Sequence, residues 1–534
     1  MKAQRLKQTI LIGIALVVVA LLGAGLFGSL GEPQVNDRLQ LYQTDLLLHA
    51  TEVGTPGPAL ESNPGKEQMA AARKALLGEQ PLDEALKQYQ KVRQSAEANL
   101  NKFQQQLERT TPAVSPSLNT APPNENGLGA DSAEGKQVRN SLQQQQALLA
   151  QLNLRIGLLQ AEQGQTQAAL QTWARLSEQT AAAGEQQALS QTARVLGGLW
   201  SNPPRILPDA EQPIQQNLEG WFRYRALSRL YQLQQRSAAL ESLQATEQAV
   251  AEQTLVKLAL VSVLPTLGGL VGFVLLLGLV VRRLLRWLHQ SSELPESLAW
   301  EVPWTWETIV QVLVIGFFFA GQVVLPLLLG SLGLNFSGLG NRAKAAYTLT
   351  YYLLMAASGL LVLYLSVKRY RPLPEGWFRI AGKRNWLVWG IGGYLAALPL
   401  MLGVSLVNQQ IWQGQGGSNP LLQTVLEEGD GLALGMFFLT AAVAAPIFEE
   451  LLFRGFLLPS LTKYVPVWGA IGLSALLFAV AHMSLSEVLP LAVLGTVLGF
   501  VYTRSRSLLA PMLLHSLWNS VTMVGLLILG SGNR

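Results

Sequence analysis

The chain has no cysteine, which excludes disulfides, thiolate nucleophiles, Cys-ligated zinc, iron–sulfur clusters and cysteine-linked lipid anchors together. Charge is also scarce: 14% of the 534 residues are Asp, Glu, Lys or Arg, against 49% hydrophobic. Histidine is rarer still, with four in the whole chain. No Gly-x-Ser-x-Gly and no His-Glu-x-x-His occurs, so the serine acyl-enzyme route and the standard zincin route lack their motifs. What the chain has instead is apolar runs, several of them as long as the ~20 residues that a bilayer-spanning helix needs. This composition describes a polytopic membrane protein. A net charge of +5 would suit nucleic acid, but the basic residues of the C-terminal half fall between apolar segments, where membrane topology accounts for them. No nucleic acid is expected as a partner.

The pattern divides the chain. Residues 1–30 are a basic start, MKAQRLKQ, and one apolar span, TILIGIALVVVALLGAGLFGSL. That run exceeds the ~7 to 15 residues of a signal peptide's apolar region and reads as an uncleaved membrane anchor. Residues 31–257 are polar, Gln-rich and helical in pattern, with a breaker-rich stretch at 110–135 that predicts a mobile loop. From Leu258 the spans repeat: Leu258 to Val281, Trp306 to Leu329, Tyr347 to Val367, Leu387 to Val407, and a set from Gly431 to Leu529. Residues 258–385 read as transmembrane helices and loops, and 386–534 as the core that carries the chemistry. The fold class is therefore all-α: a polytopic transmembrane helical bundle with an N-terminal extramembrane α-helical domain. Lys2, Arg5 and Lys7, then Arg282, Arg283 and Arg286, then Lys368, Arg369, Arg371, Lys383 and Arg384 fall on alternate loops, which should be cytoplasmic. That places 31–257 on the extracytoplasmic side, with Arg342 and Lys344 opposing the bias. The odd number of spans puts the C-terminus there too.

Within 31–257, NLRIGLLQAEQGQTQAALQTWARL resembles a tetratricopeptide unit, with Ile156 and Gly157 in a first helix, Gly164 at the turn, and Ala169, Trp173 and Leu176 in a second. Weaker echoes lie around Ala85 and Tyr89 and around Leu227 and Ala239. Small residues let paired helices approach and large ones fill the next groove. A plain helical hairpin or coiled coil rich in Gln and Ala is the other reading. Either form suits binding of a protein partner, and neither supplies catalysis.

The chemistry lies in the last block. In FEELLFRG, Glu449, Glu450 and Arg454 interrupt an apolar run, and each ionisable residue at bilayer depth costs roughly 2.5 to 3.5 kcal/mol. FAVAH ends in His482, and HSLWN runs from His515 to Asn519, whereas His49 and His289 read as surface or interfacial residues. On a helix, Glu450 and Arg454 share a face, as do His515 and Asn519. Glu449, turned ~100° from Glu450, can have a different partner. One carboxylate then pairs with arginine and the other stays free as a base. Glu449 and His482 could activate a water, and His515 and Asn519 could stabilise the oxyanion formed by attack on an amide. For these groups to meet, the Glu-bearing helix must run through Arg454 to Leu458, with Pro459 ending it and Arg454 buried against Glu450. Glu450 and Arg454 taken alone could be a structural ion pair. Trp518 reads as a packing or interfacial residue, and Gly392 and Gly393 as sites of close helix contact.

Glu449-Glu450-x-x-x-Arg454, Phe478-x-x-x-His482 and His515-x-x-x-Asn519, in that order, resemble the three signature motifs of the CPBP family, also called Abi. These are intramembrane glutamic endopeptidases related to the type II CAAX prenyl endopeptidase. The resemblance covers roughly Trp386 to Leu529. It implies a membrane-embedded helical bundle around a hydrophilic cavity and hydrolysis of a peptide bond in a peptide or membrane-protein substrate. It also implies Glu449 and His482 on the water, His515 and Asn519 at the oxyanion, and Glu450 and Arg454 in support. No cofactor is expected, zinc at Glu449, His482 and His515 being the alternative. Membrane lipid is an expected partner. Two other functions stay open: a catalytically silent scaffold or immunity protein whose helical domain recruits partners, and a transporter with a proton relay.

Overall fold

The computed structural model describes residues 2–29, 35–53, 78–110, 133–179, 185–288, 299–331, 340–380, 385–412, 425 and 429–530. The described residues are helical and include no strand. They form two compact units, one of Met1–Val35 with Val261–Gly530, the other built on Asn36–Leu260.

The chain opens with α1 (Lys2–Gly28), apolar enough to cross a membrane. Leu11 and Val18 are buried while Leu6, Ile10, Leu16 and Phe27 are exposed, the two-sided pattern of a helix that packs on one face and meets lipid on the other. The second unit holds α2 (Val35–Thr51), α3 (Pro81–Thr110), α4 (Ala133–Glu162), α5 (Thr166–Gln179), α6 (Glu185–Leu199), α7 (Glu211–Asn217), α8 (Gly220–Leu233) and the start of α9 (Ser237–Leu288). Most of the loop expected at 110–135 lies outside the described residues; Thr110 ends α3, and α4 has already begun at Ala133.

Helices α4 and α5 form the antiparallel pair that the spacing implies, with Gly164 at the turn in a left-handed conformation, φ +80°. Ile156, Ala169, Trp173 and Leu176 are buried between helices. A Cβ on Gly157 would lie 2.2 Å from Trp173 Nε1. Glycine there is what lets the indole donate to the Leu154 carbonyl at 3.2 Å. Leu227 of α8 is buried in the same core, and Ala239 of α9 is partly buried against it.

His49 is not a surface residue. It is buried, with Nδ1 2.5 Å from Glu247 Oε1. Asp45, His49 and Glu52 recur at helical spacing, and each meets an inward partner: Asp45 accepts from Tyr89, and Glu52 accepts from Trp221 Nε1 at 2.7 Å. A polar stripe that would suit a solvated face is here a set of paired buried groups. His289 lies outside the described residues.

The span expected at Leu258 to Val281 is part of the 52-residue α9. The polar stretch before it holds no glycine or proline to stop the helix, and Pro265 removes only one backbone bond from a long ladder. The rest of the first unit comprises α10 (Trp306–Ser331), α11 (Asn341–Val367), α12 (Trp386–Trp412), α13 (Gly431–Leu461), α14 (Val467–Val480), α15 (Leu485–Ser505) and α16 (Leu509–Gly530). Eight of the described helices are long and apolar enough to cross a membrane, an even number where the sequence reading counts an odd one; α14, with 14 residues, is shorter. Small residues set the closest crossings. A Cβ on Gly393 would meet Leu514 and Val501 at 2.7 Å, while Gly392 has nothing within 4 Å, so only the first serves helix contact.

Helix α13 does not end at Pro459; it continues to Leu461. Two of its stretches, Leu439–Ala444 and Glu450–Leu457, are π-helical. Pro446 and Pro459 each fall at the start of the α-helical stretch that follows. A proline ring clashes with the carbonyl four residues back in an α-helix, and the wider preceding turn removes that conflict.

Candidate active site

Two helices and the turn after a third carry the polar residues into one apolar surrounding. Glu449, Glu450 and Arg454 come from α13, His482 from the turn after α14, and His515 and Asn519 from α16. Glu450 and Arg454 are both fully buried and joined at 2.7 Å through Arg454 Nη1. Arg454 Nη2 also donates to the Gly495 carbonyl of α15 at 3.1 Å. The guanidinium carbon stands 4.5 Å from the centre of the Phe478 ring, so an aromatic face covers what the carboxylate leaves.

His515 bridges the two carboxylates. Its Nδ1 lies 2.8 Å from Glu450 Oε1, and its Nε2 lies 3.9 Å from Glu449 Oε2. Because an ionised carboxylate only accepts, Nδ1 carries a hydrogen and donates, which leaves Nε2 directed toward Glu449. Glu449 Oε1 accepts from the Tyr352 hydroxyl at 3.0 Å, while Oε2 is buried without a hydrogen-bond partner. The charges count as two carboxylates against one guanidinium.

Asn519 and the neighbouring Ser516 tie α16 to the first π-helical stretch of α13. Asn519 Nδ2 donates to the Ala441 carbonyl at 2.7 Å and Ser516 Oγ to Ala442 at 2.6 Å. A π-helical turn displaces carbonyls from the regular ladder, and these two side chains satisfy them. One N–H of the Asn519 amide remains for another acceptor.

His482 donates through Nδ1 to the Phe478 carbonyl at 2.9 Å, which leaves Nε2. No described hydrogen bond or ion pair joins His482 to Glu449 or His515. What links the two histidines is Phe478, whose ring centre is 5.0 Å from that of His482 and 5.8 Å from that of His515. The phenylalanine four residues before His482 is thus the packing centre of the site.

Tyr352, on α11, is a site residue that the sequence reading missed. It lies 97 residues before Glu449, and a tyrosine in an apolar helix ordinarily marks a membrane interface. Among the described residues, no group of three or more His, Asp or Glu has the arrangement to hold a metal ion.

Helical packing with two carboxylates, two histidines, an arginine and an asparagine at its centre defines a membrane-embedded helical protein with a polar intramembrane site. Residues 431–521 match the family described as type II CAAX prenyl endopeptidase Rce1-like, which places this segment with a family of membrane proteases. The chain is 22% identical over 138 residues to the Bacillus subtilis protein named "Putative membrane peptidase YdiL", covering 26% of this chain and 55% of that one. It is 22% identical over 197 residues to the Staphylococcus aureus "Membrane-embedded CAAX protease MroQ", covering 36% of this chain and 77% of the other. No solved structure matches.

Proposed function

We propose that this protein is an intramembrane endopeptidase in which Glu449 activates a water molecule for attack on a peptide bond. The observation that carries this reading is the buried, unpartnered Glu449 Oε2, 3.9 Å from His515 Nε2. That separation is too long for a hydrogen bond, but one water between the two groups would reach both. Tyr352 fixes the other oxygen of Glu449 and so turns Oε2 toward that position.

In the proposed reaction Glu449 takes a proton from the water while its oxygen bonds to the amide carbon, and the carbonyl electrons move onto oxygen. The remaining N–H of Asn519 and a protonated His482 stabilise the oxyanion. Collapse restores the carbonyl and breaks the C–N bond, and the proton held by Glu449 passes to the leaving amine. His515, oriented by Glu450, shares the water and the mobile proton. The absence of any link from His482 to Glu449 favours this division over one in which His482 holds the water. No metal is required. Arg454, paired with Glu450, holds the carboxylate where it orients His515.

The substrate we propose is a peptide or membrane protein reaching the site through lipid, with residues 36–260 on the extracytoplasmic side as a helical surface for a protein partner. The test compares wild type, Glu449→Ala and His515→Ala in lipid, by mass spectrometry of peptides released from a native membrane extract, with and without chelator. Cleavages made only by wild type and insensitive to chelator are expected. Chelator-sensitive cleavage would favour zinc at Glu449, His482 and His515. Identical profiles from three well-folded proteins would favour the silent scaffold.

A further inference from the structure

The turn that carries His482 is short and conformationally demanding. Helix α14 ends at Val480 and α15 begins at Leu485. Between them Met483 has φ +53°, a left-handed conformation that a residue with a side chain holds only where its surroundings fix it. Ser484, at the start of α15, makes no side-chain cap to that helix.

The missing cap comes from the other end of the chain. The Leu485 N–H donates to Ser29 Oγ at 3.0 Å. Ser29 is buried, and its hydroxyl in turn donates to the Leu26 carbonyl at 2.7 Å. A helix N-terminus leaves its first amides unpaired, and a serine oxygen is the usual acceptor for one of them. Here that serine lies 456 residues away. One turn earlier, Gly25 faces Met483 itself: an added Cβ would already touch it, 3.4 Å from Sδ, so a longer side chain there would press on Met483. The opposite end of α1 is also held, by Gln8 Nε2 donating to Glu307 Oε1 of α10 at 2.6 Å. An anchor that only tethered a domain would need neither contact. Both Gly25 and Ser29 lie far outside the matched segment 431–521.

We infer that α1 is a positioning element of the site: Gly25 and Ser29 hold the His482–Ser484 turn and thereby the placement of His482. The segment leading into residues 36–260 is then part of the hydrolytic machinery. This rests on the proposed role of His482 in peptide hydrolysis.

The test uses the full chain in lipid with two readouts, hydrogen exchange over residues 481–487 and the kcat and KM of peptide cleavage. Ser29→Ala is expected to speed exchange of the Leu485 amide and to lower kcat about 5- to 10-fold at nearly constant KM, the loss of one hydrogen bond. Ser29→Thr, which keeps the hydroxyl, should retain both. Gly25→Leu should lower kcat, and Met483→Ala in the same chain should restore most of it. Should Gly25→Leu fail to fold, Ser29→Ala and its threonine control decide. Unchanged exchange and kcat in Ser29→Ala would overturn the inference, as would a Gly25→Leu defect indifferent to Met483→Ala. If wild type cleaves nothing, the hydrolytic reading fails by itself, and faster exchange in Ser29→Ala alone would still show that α1 holds the turn.

Discussion

His515 Nδ1 lies 2.8 Å from Glu450 Oε1, the same oxygen that accepts Arg454 at 2.7 Å. One buried carboxylate oxygen therefore serves an ion pair and orients an imidazole. If the pair were only structural, replacing both charged partners by apolar residues of similar volume would leave activity intact.

Glu450→Ala and Arg454→Ala should each destabilise the first unit by about 3–5 kcal/mol, because each leaves an uncompensated buried charge. The double variant Glu450→Leu with Arg454→Met should recover much of that stability. It should not recover activity, since His515 would still lack its acceptor. Thermal unfolding in detergent beside cleavage assays separates the two effects.

Tyr352→Phe removes the hydrogen bond that the tyrosine hydroxyl donates to Glu449 Oε1. A hydrogen bond to a charged group is worth about 1.5–3 kcal/mol, so kcat should fall about 10- to 100-fold with little change in KM. Steady-state kinetics on a cleaved peptide checks this.

The cysteine-free sequence permits a direct topology test. Gln216 and Glu375 are both exposed. Gln216→Cys in α7 should react with a membrane-impermeant maleimide added outside intact cells, and Glu375→Cys only after the cells are broken. The reverse pattern would invert the proposed sidedness.

The second unit should lose stability at high pH. Burial, first, and the neighbouring Glu52 and Glu247 push Tyr224 up to about 12; burial and the hydrogen bond to Glu211 push Tyr231 up to about 12. The unfolded chain releases these protons near pH ~10. The contribution to stability is therefore full below pH ~10 and is lost as pH rises toward 12. Proteolytic susceptibility of 36–260 should rise across that window, and less so in the Tyr224→Phe, Tyr231→Phe variant.

The helical class was legible from the apolar runs, and the six polar residues of the candidate site stood out because polar groups inside such runs are costly and so conspicuous. The partners of those groups were not. Tyr352 contributes a single hydroxyl from a distant helix, and nothing local marks it. The link from His515 to Glu450 depends on how α16 crosses α13, a tertiary relationship that motif order does not contain. The π-helical stretches escaped because apolar periodicity does not distinguish a turn widened by one residue, and so Pro459 read as a stop. His49 was misread for a different reason: polar residues at helical spacing look alike whether they meet water or paired charges.

The most direct test of the account is the kcat of Glu449→Gln against wild type on one identified peptide, in lipid, with folding verified. The amide keeps the size of the side chain and removes its basicity. A base acting on water contributes about 10²–10⁴-fold, and a loss of that order with KM nearly unchanged is the predicted result. A Glu449→Gln protein that cleaves at the wild-type rate would contradict the account.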